Sequence, residues 1–287
     1  MNSKNQSPPI YFLNCESKAA FSQLEQTNLM KRLSVIGLGS VGMAVRHTLC
    51  FFYDIVDGYD IDGRGNWNDI LQSDITFICV STPESETGHL DCSNVNNVLC
   101  RLNDSKYSGI CVIKSTVGVG FTDASVEKYP NLRIVYMPEF LREKSNFTWF
   151  VNPDRLVISG NANDMDEVMG LFWWVDGISD SVPILKMKNI EAEIGKLAHN
   201  ARIAVLVSFT NEIEEVSMEK GADPDNVMSV IHADRRVKSK EHLKPKLGGY
   251  GGKCVPKDTK ELIASMRNPI LLVAAEERNK IMLEEFR

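Results

Sequence analysis

The sequence predicts an α/β domain built on a parallel β-sheet, followed by an all-helical domain with one long connecting helix. Short β-branched runs alternate with longer amphipathic stretches in the first half, which is typical of βαβ units around a parallel sheet. The second half contains a long helical pattern. With 287 residues, of which 43% are hydrophobic, the chain is long enough for two cores. We expect the first domain at residues 30–186 and the second at 187–287.

Six segments of the first domain fit short strands, because each is rich in β-branched residues and ends at polar or turn-forming residues. The predicted strands are Leu33–Ile36, Ile55–Tyr59, Ile75–Val80, Ile110–Lys114, Ile134–Met137 and Leu156–Ser159. Residues 1–29 are polar, lack a clear period and contain Ser-Pro-Pro. We therefore expect a poorly ordered extension there.

The first predicted strand runs into a glycine-rich turn, and Met43–Cys50 then fits a helix. In this context GxGxxG is the fingerprint of a Rossmann-type dinucleotide site. Its glycines allow the tight turn, the close approach of a pyrophosphate and close helix packing, with the phosphates at the helix N-terminus. A strand, turn and helix without ligand is the alternative. The expected cofactor contacts are Gly37, Gly39, Ser40, Val41 and Gly42.

The second predicted strand ends at Asp60, where an acidic residue is expected to accept hydrogen bonds from the adenosine ribose hydroxyls. An acid at this position favours NAD over NADP, because it repels the additional 2'-phosphate. Asp57 and Asp62 are rival candidates in the same stretch.

Polar residues follow the third and fourth predicted strands. The carboxyl ends of strands in a doubly wound sheet face the ligand crevice. We therefore expect Ser81, Thr82 and Thr116 to line the cofactor and substrate site. Taken singly, each of these polar segments is also compatible with an ordinary helix cap or turn.

Two helices carry further candidate residues. Lys188 to Lys220 lacks proline and stops before Gly221, which predicts one helix long enough to connect two domains or to form a dimer interface. On it, Lys196 and Asn200 lie one turn apart among apolar residues, so we expect Lys196 to be partly desolvated. The alternative is a lysine at the helix margin whose ammonium group reaches water.

A shorter helix is predicted to begin at Pro138, with Glu139 and Glu143 on one face. The helix dipole alone also favours acids in a first turn.

The segment Gly248-Gly249-Tyr250-Gly251-Gly252-Lys253-Cys254-Val255-Pro256-Lys257-Asp258 is the most distinctive in the chain. Glycines let a ligand approach the main chain closely. Cys254 is a candidate nucleophile, because the neighbouring lysines favour the reactive thiolate and Asp258 is placed to hold a water or a proton. The alternative is a flexible surface loop with a chance cysteine.

Composition argues against several other classes of protein. Seven cysteines without regular spacing argue against a disulfide framework, and no CxxC pair suggests a metal site. A net charge of −6 argues weakly against nucleic acid as a partner. No segment approaches the roughly 20 apolar residues of a membrane span, and the first thirty residues lack a signal-peptide pattern. We therefore expect a cytoplasmic protein.

Together the motifs resemble the nucleotide-sugar 6-dehydrogenases, the family typified by UDP-glucose 6-dehydrogenase and GDP-mannose 6-dehydrogenase. The resemblance covers about residues 31 to 265. It implies an NAD-dependent, four-electron oxidation of the sugar C6 hydroxymethyl group to a carboxylate without release of the aldehyde, most often on UDP-glucose. It rests on Gly37 to Gly42, Cys79 to Pro83, Lys114 to Val117, Pro138 to Glu143 with Asn152 to Arg155, Lys196 with Asn200, and Gly248 to Thr259.

The resemblance also implies roles for individual residues. Cys254 would capture the C6 aldehyde as a thiohemiacetal, from which a second hydride leaves to give a thioester that water cleaves. Lys196 and Asn200 resemble groups that stabilise the developing oxyanion. The residues that would order the attacking water and relay protons are Asp258, Glu139 and Thr116, and Glu143 is similar to a carboxylate on the cofactor side.

The substrate contacts implied in the same way involve both domains, and Arg236 would reach the sugar nucleotide from the partner subunit of a homodimer. Arg235 is the alternative to Arg236. The expected contacts are Glu139, Phe140, Leu141, Lys196, Asn200, Arg236, Tyr250, Gly251 and Lys257.

The sequence departs from the family pattern in three places. Family members usually continue through a second α/β domain that binds the nucleotide, whereas this sequence ends at Arg287, so we expect much of that surface to be absent. The stretch between Asp60 and Ile75 is short, and Gly118 stands where the family often has proline. Two other functions remain open: an NAD-binding protein that turns over poorly or needs a partner chain, and a two-electron hydroxyacid dehydrogenase, which needs no thiol.

Overall fold

The computed structural model describes residues 31–140, 150–151, 153–172 and 182–285. These residues form two compact units. The first contains residues 31–81, 93–115 and the described part of 120–192, and the second contains residues 82–92, 116–119 and 193–285. The extension predicted for residues 1–29 lies outside the described residues.

A seven-stranded sheet forms the centre of the first unit, within the residues described. Its order is β2-β1-β3-β4-β5-β6-β7. Strands β1 to β5 are parallel, β6 pairs with β5 in the antiparallel direction, and β7 is parallel to β6. The strands are β1 (Leu33–Ile36), β2 (Val56–Tyr59), β3 (Ile75–Ile78), β4 (Ile110–Ile113), β5 (Arg133–Tyr136), β6 (Leu156–Gly160) and β7 (Ile184–Met187).

Helices cover the central strands, and every residue of β1, β3 and β4 is buried. Strands covered on both faces need continuous apolar runs, which explains their composition. Val45 and Leu49 of the first helix belong to the same apolar cluster as Leu33 and Phe77 of the sheet. The helices of this unit are α1 (Ser40–Phe52), α2 (Trp67–Ile70), α3 (Ser93–Asp104), α4 (Phe121–Lys128) and α5 (Ala162–Met169), with a 3₁₀ turn at Gly170–Phe172.

The second unit is helical. Helix α6 (Asn189–Glu219) has 31 residues, which corresponds to about 46 Å at about 1.5 Å per residue. It ends before Gly221, which adopts a positive φ of 70°, as is common just past a helix. The other helices are α7 (Pro224–His232), α8 (Val255–Ala264) and α9 (Ile270–Glu285). No helix within the described ranges is both long enough and apolar enough to cross a membrane.

The predicted fold class is confirmed: a Rossmann-like sheet precedes a helical region with one long helix. The sheet is parallel over β1 to β5 and mixed beyond them, because β6 runs antiparallel to β5. Strand β7 was not predicted, because its residues are exposed or half-buried and lack the buried apolar pattern. It pairs with β6 at the edge of the sheet, and an edge strand needs less apolar surface than a central one.

The helix predicted to begin at Pro138 is not found over the described residues Pro138 to Phe140. The backbone N–H of Phe140 donates to Glu139 Oε1 at 2.8 Å. Such a local side-chain bond competes with helical hydrogen bonding and favours an irregular backbone. Leu141 and Glu143 lie outside the described residues.

The turn after β1 depends on glycine at two positions. Gly37 has a φ of 90°, and a Cβ there would lie 2.7 Å from the carbonyl oxygen of Cys79. A Cβ at Gly42 would overlap the carbonyl oxygen of Gly37. Side chains at either position would therefore push α1 away from the sheet.

We predict that Gly42→Ala lowers the free energy of unfolding by at least about 2 kcal/mol, because the clash is with rigid backbone. Gly39→Ala is the matched control. No heavy atom lies within 4 Å of a Cβ at this position, so its stability should change by less than about 1 kcal/mol. Urea-induced unfolding followed by circular dichroism measures both, and equal stability of the two variants would contradict the close approach of α1.

Candidate active site

The glycine-rich turn leaves its backbone open at the start of α1. Gly39 caps the helix, and Ser40 and Val41 form its first turn. The N–H groups of a first helical turn and the helix dipole attract anions. Because a Cβ at Gly39 would meet no heavy atom within 4 Å, a phosphate has room to approach the main chain there. This geometry fits the pyrophosphate of a dinucleotide.

Asp60 contacts this turn directly. Its Oδ2 accepts a hydrogen bond from the backbone N–H of Leu38 at 2.6 Å, between the first two glycines. Of the rival candidates, Asp57 pairs with Arg32, and Asp62 pairs with Arg64, whose guanidinium also lies 3.4 Å from Asp60. The carboxylate of Asp60 therefore lies beside the turn, where the ribose-binding acid was expected.

Arg64 is a residue of this region that the sequence analysis missed. Its Nη1 donates to the Leu38 carbonyl oxygen at 3.0 Å, and its Nη2 lies 3.4 Å from Asp60 Oδ2. The guanidinium thus links the short segment after β2 to the glycine-rich turn. Arg64 follows Asp60 by four residues, a spacing that predicts contact between side chains on a helix. No helix forms between the two residues, so they meet through the turn instead.

Lys114 and Glu139 form an ion pair in the first unit. Lys114 directly follows β4 and is 3% exposed, and its Nζ lies 2.8 Å from Glu139 Oε2 without the angles of a hydrogen bond. The ammonium group also lies 5.4 Å from the centre of the Phe150 ring. A buried cation needs such a partner, so the pair holds the Glu139 carboxylate at this position.

Cys79 lies near this pair, and the charges of Lys114 and Glu139 both act on its thiol. Burial raises the pKa of the Cys79 thiol to about 12, although the positive charge of Lys114 acts in the opposite direction. Cys79 is therefore a neutral, inert thiol at physiological pH.

The polar residues after β3 and β4 divide between the two units. Ser81, in the first unit, accepts hydrogen bonds from Asn94 through its carbonyl oxygen and its hydroxyl group. Thr82 and Thr116 belong to the second unit, where the Thr82 hydroxyl group donates to the Thr116 carbonyl oxygen at 2.7 Å. The Thr82–Thr116 bond therefore connects two segments that are distant in sequence.

The second unit brings the candidate catalytic groups of α6 and α8 together. Asp258 is fully buried on α8, and its Oδ2 accepts a hydrogen bond from Asn200 Nδ2 at 2.6 Å. Lys257 Nζ lies 2.7 Å from the other oxygen. Lys196 is also buried, at 7% exposure, so the expectation of a desolvated lysine holds.

Cys254 is exposed and caps the N-terminus of α8. Its carbonyl oxygen accepts the hydrogen bond of the Asp258 N–H at 3.0 Å, so the thiol and the buried carboxylate lie one turn apart on the same helix. The helix N-terminus favours negative charge near the sulfur. An accessible thiol one helical turn from a buried carboxylate, which an amide and a lysine bind, is an arrangement suited to covalent catalysis.

The glycine loop before Cys254 is held by two amides that the sequence analysis missed. Asn211 Nδ2 donates to the Gly248 carbonyl oxygen at 3.1 Å, and Asn279 Nδ2 donates to the Tyr250 carbonyl oxygen at 3.0 Å. The Tyr250 hydroxyl group donates to Glu276 at 2.7 Å, and burial raises the Tyr250 pKa. A Cβ at Gly251 would meet nothing within 4 Å, which leaves the loop backbone open there.

Arg236 lies on the surface of the second unit. Its side chain is 90% exposed and pairs with Asp234 through two nitrogens. Within the described part of the chain, the Arg236 guanidinium binds Asp234 and makes no hydrogen bond or ion pair with another candidate residue.

Comparison with known proteins gives two family models. Residues 65–173 match the NAD binding domain of the UDP-glucose/GDP-mannose dehydrogenase family, and residues 190–280 match its central domain. The glycine-rich turn precedes the first matched range.

Curated relatives and a solved structure agree with these models. UDP-glucose 6-dehydrogenase of Streptococcus pneumoniae is 33% identical over 220 residues, which is 73% of this chain and 55% of the relative. UDP-glucose 6-dehydrogenase of Rhizobium meliloti is 35% identical over 232 residues, which is 74% of this chain and 52% of the relative. The structure of a UDP-glucose dehydrogenase from Pyrobaculum islandicum matches with a TM-score of 0.76 at 26% identity, covering 88% of this chain and 68% of that one. The chain spans about half the length of the curated relatives it matches.

We predict that Lys114→Met lowers the free energy of unfolding by about 3 kcal/mol, because it leaves the largely buried Glu139 carboxylate without its cation. Adding Glu139→Gln should recover part of this loss, since the remaining group is then neutral. Urea-induced unfolding measures each variant.

Lys186→Met is the control for this prediction. Lys186 and Asp166 form an exposed ion pair, with side chains 46% and 66% exposed. Its loss should cost no more than about 1 kcal/mol. If Lys114→Met and Lys186→Met destabilise equally, the Lys114–Glu139 pair does not act as a buried ion pair.

Proposed function

Because the chain belongs to the UDP-glucose/GDP-mannose dehydrogenase family, we propose that it oxidises the C6 hydroxymethyl group of a nucleotide sugar to a carboxylate. NAD is its cofactor, as the NAD binding domain, the open turn at Gly39 and the nearby Asp60 carboxylate indicate. The proposed substrate is UDP-glucose, which the curated relatives carry in their names.

The observation that carries this proposal is the cluster of the second unit. An exposed thiol lies one turn from a fully buried carboxylate, and that carboxylate is bound by Asn200 and Lys257. A two-electron hydroxyacid dehydrogenase has no use for this thiol. In four-electron oxidation, by contrast, a thiol can hold the intermediate aldehyde covalently between its two oxidations.

The proposed reaction proceeds on the Cys254 sulfur. The turn at Gly39 and the Asp60 carboxylate would hold NAD, which would supply the hydride acceptor for each of the two oxidations, one molecule for each. The thiolate adds to the C6 aldehyde to give a thiohemiacetal, whose loss of hydride leaves a thioester. Water then attacks the thioester carbonyl carbon, which releases the carboxylate and regenerates the thiol.

In this proposal the other residues stabilise the oxyanion and order the attacking water. Lys196 and Asn200 stabilise the oxyanion that forms during addition and hydrolysis, because a buried cation and an amide donor act strongly where water is excluded. Asp258 holds Asn200 in place through the 2.6 Å hydrogen bond and, with Glu139 and Thr116, takes part in ordering the attacking water. Phe140, Tyr250, Gly251 and Lys257 are proposed to contact the sugar.

We predict two NADH formed per nucleotide sugar consumed, measured by NADH absorbance and product analysis over a panel of UDP- and GDP-hexoses. Cys254→Ser should lower kcat on the order of a thousandfold or more, because the aldehyde is no longer captured by a thiol. NADH formation at one per sugar, or full activity of Cys254→Ser, would contradict the thioester route.

Cys50→Ser is the control, because Cys50 is another exposed cysteine and lies in the last turn of α1. It should retain wild-type kcat. Binding of NAD without turnover on any sugar would instead favour a catalytically weak or partner-dependent family member.

The proposed assembly is a cytoplasmic homodimer formed through α6, with Arg236 reaching the substrate of the partner subunit. Phe209 and Val216 lie two turns apart on α6 and are 41% and 45% exposed. Apolar side chains on one face of a long helix are typical of a helix interface.

We predict a solution mass of two chains by light scattering, and a mass of one chain for Phe209→Glu/Val216→Glu, because the charges oppose burial of this face. Val126→Glu is the control, since Val126 is 42% exposed on α4. A single-chain mass for the wild type would contradict the dimer.

A further inference from the structure

Glu261 is a buried carboxylate that the proposed chemistry does not use. It lies on α8 one turn beyond Asp258 and is 2% exposed. Removing a carboxylate from water is costly unless donors replace the lost hydration. The contacts of Glu261 therefore show which parts of the unit depend on it.

Its partners come from a different part of the chain. The backbone N–H of Leu90 donates to Oε2 at 2.6 Å, and His89 Nδ1 lies 3.4 Å from each carboxylate oxygen. Ser265, one turn further along the helix, donates to Oε1 at 3.0 Å. The carboxylate thus anchors the segment Thr82–Cys92, which also contains a bridge between Glu84 and Leu90, to α8.

A second segment packs against the same carboxylate. A Cβ at Gly118 would lie 3.1 Å from Glu261 Oε1, which is tighter than most contacts of a Cβ atom. The two segments are themselves joined, because Thr82 donates to the Thr116 carbonyl oxygen. Glu261 therefore contacts both the segment that carries Thr82 and the segment that carries Thr116.

We propose that Glu261 is a positioning residue, which holds the Thr116–Val119 and Thr82–Cys92 segments against the helix that carries Asp258 and is capped by Cys254. This inference rests on the proposed function, in which Thr116 and Asp258 order the attacking water. Asp258 connects α8 to α6 through Asn200, and Glu261 connects the next turn of α8 to the Thr116 segment. Together, the Asp258 and Glu261 carboxylates set the distance between Asn200 on α6 and the Thr116–Val119 segment.

The first test compares Glu261→Ala with Glu261→Gln. Small displacements of catalytic groups are costly, so Glu261→Ala should lower kcat by about tenfold or more while the KM for NAD changes by less than about twofold. Glu261→Gln should recover most of kcat, because its amide group still accepts from Leu90 and pairs with Ser265 and His89. Lys260→Ala is the control, because it removes only the partly exposed Lys260–Glu84 pair between the same helix and the same segment. It should retain wild-type kcat.

The second test uses the contact with Gly118. Gly118→Ala should lower kcat in the wild-type background, because the added methyl group displaces the carboxylate or the segment. In the Glu261→Ala background the same substitution should have no further effect, since the oxygen it meets is gone. Additive losses would show that the two residues act independently and would overturn the proposal.

Hydrogen exchange provides a readout that does not depend on turnover. Glu261→Ala should accelerate amide exchange in residues 82–92 and 116–119 and leave the centre of α6 unchanged. Unchanged exchange in both segments overturns the positioning role, even if kcat falls. If the wild-type protein oxidises no nucleotide sugar, the proposed function fails, whereas accelerated exchange still supports Glu261 as the residue that holds these segments.

Discussion

A carboxylate without access to water must find its donors within the protein, and Asp258 imposes this requirement on the second unit. The donors are Asn200 on α6 and Lys257 on α8 itself. The hydrogen bond of 2.6 Å joins α8 to α6 at the level of Asn200 and Asp258. The position of Cys254 at the start of α8 follows from this contact, since the helix backbone connects the two residues through one turn.

The first unit depends on a close contact between two segments of main chain, at Gly37 and Gly42. The glycine-rich turn allows α1 to approach β1 and β3 so closely that no Cβ fits at Gly42. Asp60 and Arg64 then bind the two polar groups of the Leu38 peptide, its N–H and its carbonyl oxygen. The turn is thereby held open at Gly39, where a phosphate would approach. Binding of a dinucleotide would thus meet a largely preformed backbone.

Much of the fold could be predicted from local patterns, and the failures have a common cause. β1 matches its predicted bounds, and α6 matches to within one residue at each end, because apolar runs, glycines and prolines act on their immediate neighbours. The direction of β6 and the existence of β7 depend on which strand lies alongside, which local composition does not encode. The predicted helix at Pro138 is absent from the described residues because Glu139 is engaged by Lys114 and by its own neighbouring N–H.

The candidate site also combines features that the sequence determined with features that only the tertiary structure decided. The sequence alone determined the chemical inventory: a glycine-rich turn after a strand, an acid at the end of the next strand, a lysine and an amide one turn apart, and a cysteine beside glycines. These are properties of adjacent residues, so they are visible without a structure. The tertiary structure alone decided which carboxylates are buried and what binds them, including Glu261 against Leu90 and Asp258 against Asn200. Burial is a property of segments that are far apart in the chain, and the partners of a buried charge become known only when those segments are packed together.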